Sequence, residues 1–153
     1  MTMKKISRNS YGGTAAIVTG MALITGLNTA GTGKSTLITA LLIVALADNI
    51  TDSLSIHIYQ ESERLDEREA FIGTLSNFAT RLLGSLSFVL IVVVFPPKVV
   101  VLGAIVWGNL LLGVLTYFLA RARNARIFPE IIKHLVVAAV AIIISKIIAY
   151  LLT

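Results

Sequence analysis

Residues 47–63, Ala47-Asp48-Asn49-Ile50-Thr51-Asp52-Ser53-Leu54-Ser55-Ile56-His57-Ile58-Tyr59-Gln60-Glu61-Ser62-Glu63, close a run that otherwise reads as a membrane-spanning helix from about Thr36 to Tyr59. Ionisable side chains cost roughly 2.5–3.5 kcal/mol each at the centre of a span, so Asp48, Asp52 and His57 call for a reason. In a small membrane protein the usual reason is a path for an ion, a proton or a substrate.

The rest of the chain agrees with that class. Hydrophobic residues make up 56% of the 153 residues and charged residues 14%, and mean hydropathy is +0.88. A soluble domain carries about 25% charge, so the expectation is one integral membrane domain covering residues 1–153. With no cysteine there is neither a disulfide framework nor a thiolate metal site. The net charge of +5 sits at the ends of apolar runs, which argues against nucleic acid as a partner and for the bilayer. Lys4, Lys5 and Arg8 precede an apolar stretch without a small-residue cleavage site, so no cleavable signal is expected.

A helix needs about 20 apolar residues to cross the hydrocarbon. Five segments meet that length, at about 12–30, 36–59, 71–95, 99–120 and 131–152, and Pro96-Pro97 ends the third. The runs are too long for barrel strands and do not alternate as strands would. The fold class is therefore all-α with five transmembrane helices. Lys4, Lys5, Arg8, Arg64, Arg68, Arg121, Arg123, Arg126 and Lys133 fall on one side, against Lys34, Lys98 and a snorkelling Lys146 on the other. By the positive-inside rule the N-terminus is cytoplasmic and the C-terminus outside. Small residues recur in the spans (Gly20 and Gly26, Gly73 and Gly84, Gly103, Gly108 and Gly113) and read as close helix packing within the chain. No internal repeat supports an inverted-repeat transporter.

Gly31-Thr32-Gly33-Lys34-Ser35-Thr36 imitates a phosphate-binding loop. The first glycine of that motif is replaced by Asn28, and the strand it should follow is absent from the pattern, so no nucleotide is expected. The polar stripe of the second span is more telling. At 100° per residue, Asp48, Asp52, Ser55, Tyr59 and Glu63 share a narrow arc. Such oxygens suit hard divalent cations, and an imidazole suits iron, manganese or zinc. His57 and Glu61 form an i, i+4 pair on roughly the opposite face, positioned to meet the stripe from a neighbouring subunit. The competing reading is structural: Asp48 and Asp52 pair with Arg81 or Lys146. Glu61, Glu63, Asp66, Glu67 and Glu69 form an acidic cluster between spans two and three, either a metal collector or a solvated face of i, i+4 ion pairs with Arg64 and Arg68. His134 and Trp107 read as interface or packing residues.

These residues resemble the vacuolar iron transporter family, five-span proteins that move ferrous iron or manganese out of the cytosol. Tyr11 to Leu27 is similar to that family's FGANDGIVTTFALVAGL pattern, and Leu46 to Arg64 aligns without gaps to LADALSMGAGEYLSVRSER. The arginine-rich loop and last span repeat its layout. The departures are that the family's span-one aspartate falls at Ala15, its methionine at Asp52, its glutamate at Ile56 and its tyrosine at His57. Only about a dozen residues join spans two and three, so the cytoplasmic metal-binding helices of larger members are missing. The resemblance implies a homodimer through span one, with the pathway between subunits.

The expected function is divalent metal transport, Fe2+ or Mn2+ being substrate rather than cofactor. Asp48, Asp52 and His57 would be pathway ligands, and Glu61, Glu63 and Glu67 collectors. Proton exchange follows from the family, since a carboxylate releasing a cation in hydrocarbon tends to take up a proton. The alternatives are a non-transporting member or structural partner, and a transporter of small organic cations. No nucleophile–base pair points to an enzyme. A short chain without a targeting extension suggests a prokaryotic plasma membrane.

Overall fold

The computed structural model describes residues 3–63 and 66–153, with side chains in the first helix from residue 12 onward. Arg64 lies outside the described residues, as do the side chains of Lys4, Lys5, Arg8 and Tyr11. Among the described residues six α-helices follow one another: α1 (Met3–Thr29), α2 (Lys34–Ile43), α3 (Asn49–Ser62), α4 (Glu67–Val94), α5 (Val100–Ala122) and α6 (Ile127–Leu152). A single wide turn of π-helix, Val44–Asp48, joins α2 to α3 without a break, so the two form one rod from Lys34 to Ser62. No strand occurs among the described residues.

The breaks between rods have local causes. Gly31 takes a left-handed conformation (φ 73°) that a side chain would strain, and so turns the chain after α1. Phe95 goes extended before Pro96-Pro97, where a helix cannot continue. Asn124, at φ 53°, turns the chain after α5. Pro129 lies in the first turn of α6, where its missing N–H leaves no helical bond unmade. The rods run beyond the apolar segments at several ends: α4 starts at Glu67 rather than Phe71, and α3 continues past Tyr59 to Ser62. Backbone hydrogen bonding does not stop where the hydrocarbon does.

Four rods are long and apolar enough to cross a membrane: Lys34–Ser62, Glu67–Val94, Val100–Ala122 and Ile127–Leu152. The chain is on that ground an integral membrane protein. Helix α1 is not among them, and its position explains its composition. It packs against α4, α5, α6 and α2, and from Gly12 to Ala30 every residue is buried or half-buried. A helix covered by protein does not need a lipid-facing coat, so threonines and glycines are tolerated.

Packing registers fix the directions of the rods. Gly84 meets Ala16, and Gly20 lies against the Phe88 ring, so α1 and α4 run parallel. Gly13 meets Leu115 while Gly108 meets Met21, so α5 runs antiparallel to α1. Ser145 of α6 donates to the Ala22 carbonyl at 2.6 Å beside Gly26. Gly13, Gly20, Gly26, Gly84 and Gly108 thus serve close intrachain contact, as small residues do in lipid, whereas Gly113 has no neighbour within 4 Å.

Buried positions repeat every four residues. On α5 they are Val100, Ala104, Gly108, Leu112, Thr116 and Ala120, and on the α2–α3 rod Leu37, Leu41, Ala45, Asn49 and Ser53. In an α-helix that spacing drifts by about 40° per step. The wide turn at Val44–Asp48 counters the drift, keeping Asn49 and Ser53 on the face that Leu37 and Leu41 began. It is also where the face changes from apolar to polar.

Candidate functional site

Asp48 stands at the midpoint of the Lys34–Ser62 rod, and Arg81 is near the middle of Glu67–Val94. They meet across the α3–α4 seam. Arg81 is 6% exposed. Its Nη2 donates to Asp48 Oδ2, and its Nη1 lies 3.1 Å from Asp52 Oδ2. One guanidinium therefore bridges both carboxylates through the two terminal nitrogens of its planar fork. Asn77 Nδ2 adds a bond to Asp52 Oδ2 at 3.1 Å, and Asn49 Nδ2 donates to the Phe78 carbonyl at 3.0 Å.

The seam stays polar toward its loop end. His57 Nδ1 is 3.2 Å from Thr74 Oγ1, which donates to the Ala70 carbonyl at 3.0 Å and lies 3.5 Å from Gln60 Oε1. His57 Nε2 lies 3.4 Å from Glu61. Polar groups in a seam of this kind must find partners within the protein, because lipid offers none. Asn77 is the exception: it is fully buried, and its Oδ1 has no hydrogen-bond partner. That atom faces α1 at Gly12, where a Cβ would collide with the amide.

The stripe deduced from the second span is divided by this arrangement. Asp52 turns inward and is half-buried, while Asp48 keeps 52% of its side chain exposed although it pairs with Arg81. Ser55 Oγ bonds back to the Thr51 carbonyl at 3.0 Å, so its hydroxyl is already engaged. Tyr59 and Glu63 are exposed. His57 turns toward α4 of its own chain. Glu61, Glu63 and Glu67 are all exposed around the α3–α4 connection, as are Asp66 and Glu69. Among the described residues no three His, Asp or Glu side chains converge in a way that could hold a metal ion. Lys146 is exposed on α6 and leaves the acid pair to Arg81.

Sequence reasoning named Arg81 only as a neutralising partner and passed over Asn77 and Thr74. The signal for them was present, since Thr74, Asn77, Arg81 and Ser85 recur at helical spacing on one face of the third span. Elsewhere, Lys34 Nζ donates to the Val93 carbonyl at 2.7 Å and ties the start of α2 to the end of α4. The glycine-rich connection thus serves as a helix-to-helix staple. His134 Nδ1 is 2.8 Å from Thr116 Oγ1 between α5 and α6, and Trp107 Nε1 donates to Ser87 at 3.0 Å, both as packing residues with a satisfied polar end.

The class these features define is an integral membrane protein with a charged seam at mid-span depth. No protein-family model matches the chain, and no curated protein or solved structure matches it. The resemblance to the iron transporters therefore rests on residue patterns in the sequence alone.

Proposed function

We propose that the protein is a cation transporter, with Asp48 and Asp52 as the acids of its path and a divalent metal, ferrous iron or manganese, as cargo leaving the cytosol. The observation that carries this reading is the composition of the mid-span cluster. Two carboxyl groups face one guanidinium, and one of the two is half-exposed at a depth where water is scarce. A purely structural ion pair balances its charges, because an unbalanced ionised group in hydrocarbon is expensive. A cluster with one acid in excess is suited to take up and release a positive partner, either a proton or the cargo. His57 and Glu61 would hand cations between the seam and the loop end, and Glu63 and Glu67 would attract them. In this reading α1 crosses the membrane as the fifth span, the N-terminus is cytoplasmic, and the host is a prokaryotic plasma membrane. The homodimer through span one that the resemblance implies belongs to this reading.

A second reading is favoured by one specific contact. Arg81 holds both acids, as a structural triad would, and a non-transporting membrane protein needs nothing more. Flux separates the two. Purified protein in liposomes should carry Fe2+ or Mn2+, and the Asp48→Ala/Asp52→Ala double variant should not. Absence of flux from folded protein under proton gradients of both directions would leave the structural reading.

A further inference from the structure

The acid pair of the α3–α4 seam is already occupied by a cation that belongs to the chain. Nη2 of Arg81 reaches Asp48 and Nη1 reaches Asp52, and both contacts fall on Oδ2. The Asn77 amide donates to Asp52 through Nδ2, while its unpartnered oxygen faces Gly12 of α1 and not the acid pair. At this depth a second positive charge near the guanidinium is strongly repelled.

We propose that Arg81 is a tethered competitor for the cargo: it occupies the Asp48–Asp52 pair when the site is empty and must withdraw before a divalent cation can bind. This rests on the reading of that pair as a cargo site and adds the residue that sets its charge selectivity. With Arg81 in place the cluster has one spare acid, which matches a single positive charge. A doubly charged ion fits only when both acids are released to it. Helix α3 follows the wide turn at Val44–Asp48, a kind of turn often found at functional sites. Asp48 is the last residue of that turn, so a small change in winding there separates Asp48 from Arg81.

The test is equilibrium binding of Mn2+ to the purified full chain in detergent, read from the loss of the free-ion paramagnetic resonance signal. Arg81→Gln removes the competitor and should tighten Mn2+ binding by about tenfold or more, within the usual range for two coupled ligands. Arg81→Lys keeps a charge but loses the rigid two-nitrogen fork that holds both acids, so it competes less well and should fall between Arg81→Gln and the unmodified protein. If Arg81→Gln does not fold, Arg81→Lys carries the test by itself, since the proposal requires it to bind Mn2+ more tightly than the unmodified chain. Equal or weaker binding by either folded variant overturns the competitor role while leaving the cargo site standing. No binding by any folded protein, unmodified or variant, removes the cargo site and this inference together.

Discussion

The two seams of α4 solve the same problem by opposite means. Toward α1 it presents Gly84 and the Phe88 ring to Ala16 and Gly20, and the helices approach closely through missing side chains. Toward α3 it presents Thr74, Asn77 and Arg81, and the helices are joined by hydrogen bonds and charge. Lipid provides no hydrophobic drive for either seam, since its tails are as apolar as leucine. The first seam uses contact area and depends on shape. The second uses polar pairing and depends on every partner being present. Only the second leaves a carboxylate half-exposed, which is why the candidate site belongs there.

That contrast breaks most sharply at Arg81. Replacing it with Leu removes charged hydrogen bonds to Asp48 and Asp52 and should destabilise the fold by about 2–3 kcal/mol, less than for a fully buried pair because both carboxylates are partly exposed. Denaturant unfolding in detergent micelles would measure it. A loss under about 1 kcal/mol would show that the polar seam is not what holds α3 to α4.

The shape-dependent seam should respond to added volume. A Cβ at Gly20 would lie 2.6 Å from the Phe88 ring, and Gly20→Ala should cost about 1–3 kcal/mol as overpacking does. Gly103 is the control, because its nearest neighbour is 3.6 Å away at Phe95 and Gly103→Ala fits without displacement. Similar losses at both glycines would mean that helix propensity, not contact, sets the effect.

Asn77→Ala removes one bond to Asp52 but also removes an unsatisfied acceptor, so the two effects partly cancel. The net loss should be about 1 kcal/mol, below that of Arg81→Leu. The smallest effect is expected at Thr74→Val, which keeps the shape and deletes the contact to His57. Interhelical bonds in membranes average about 0.6 kcal/mol, so the change in melting temperature should be near the limit of measurement. A large loss at Thr74 would move the centre of the polar seam from Arg81 toward His57.

How much of this could be read from the chain differs by element. The lengths of the apolar runs and Pro96-Pro97 marked five spans, and four of them lie on rods long and apolar enough to cross a membrane, because crossing hydrocarbon demands length and apolarity whatever the neighbours are. The acids of the second span were visible because charge in such a run is rare. Their direction was not. A 100° wheel put Asp48, Asp52, Ser55 and Tyr59 on one stripe, whereas the structure turns Asp52 inward and bonds Ser55 to its own backbone. The wheel fixes which residues share an arc of α3 but not how that arc sits against α4, and Asp52 lies at its edge beside Arg81 and Asn77.

By itself the sequence determined the class, an all-helical membrane protein, and the presence of costly ionisable groups inside it. Both follow from transfer free energies summed over local stretches, which need no knowledge of neighbours. Only the tertiary structure decided that α1 is the enclosed helix and that Arg81 bridges the two aspartates. Those are matters of which faces meet across residues far apart in the chain, and periodicity within one helix does not encode its partner.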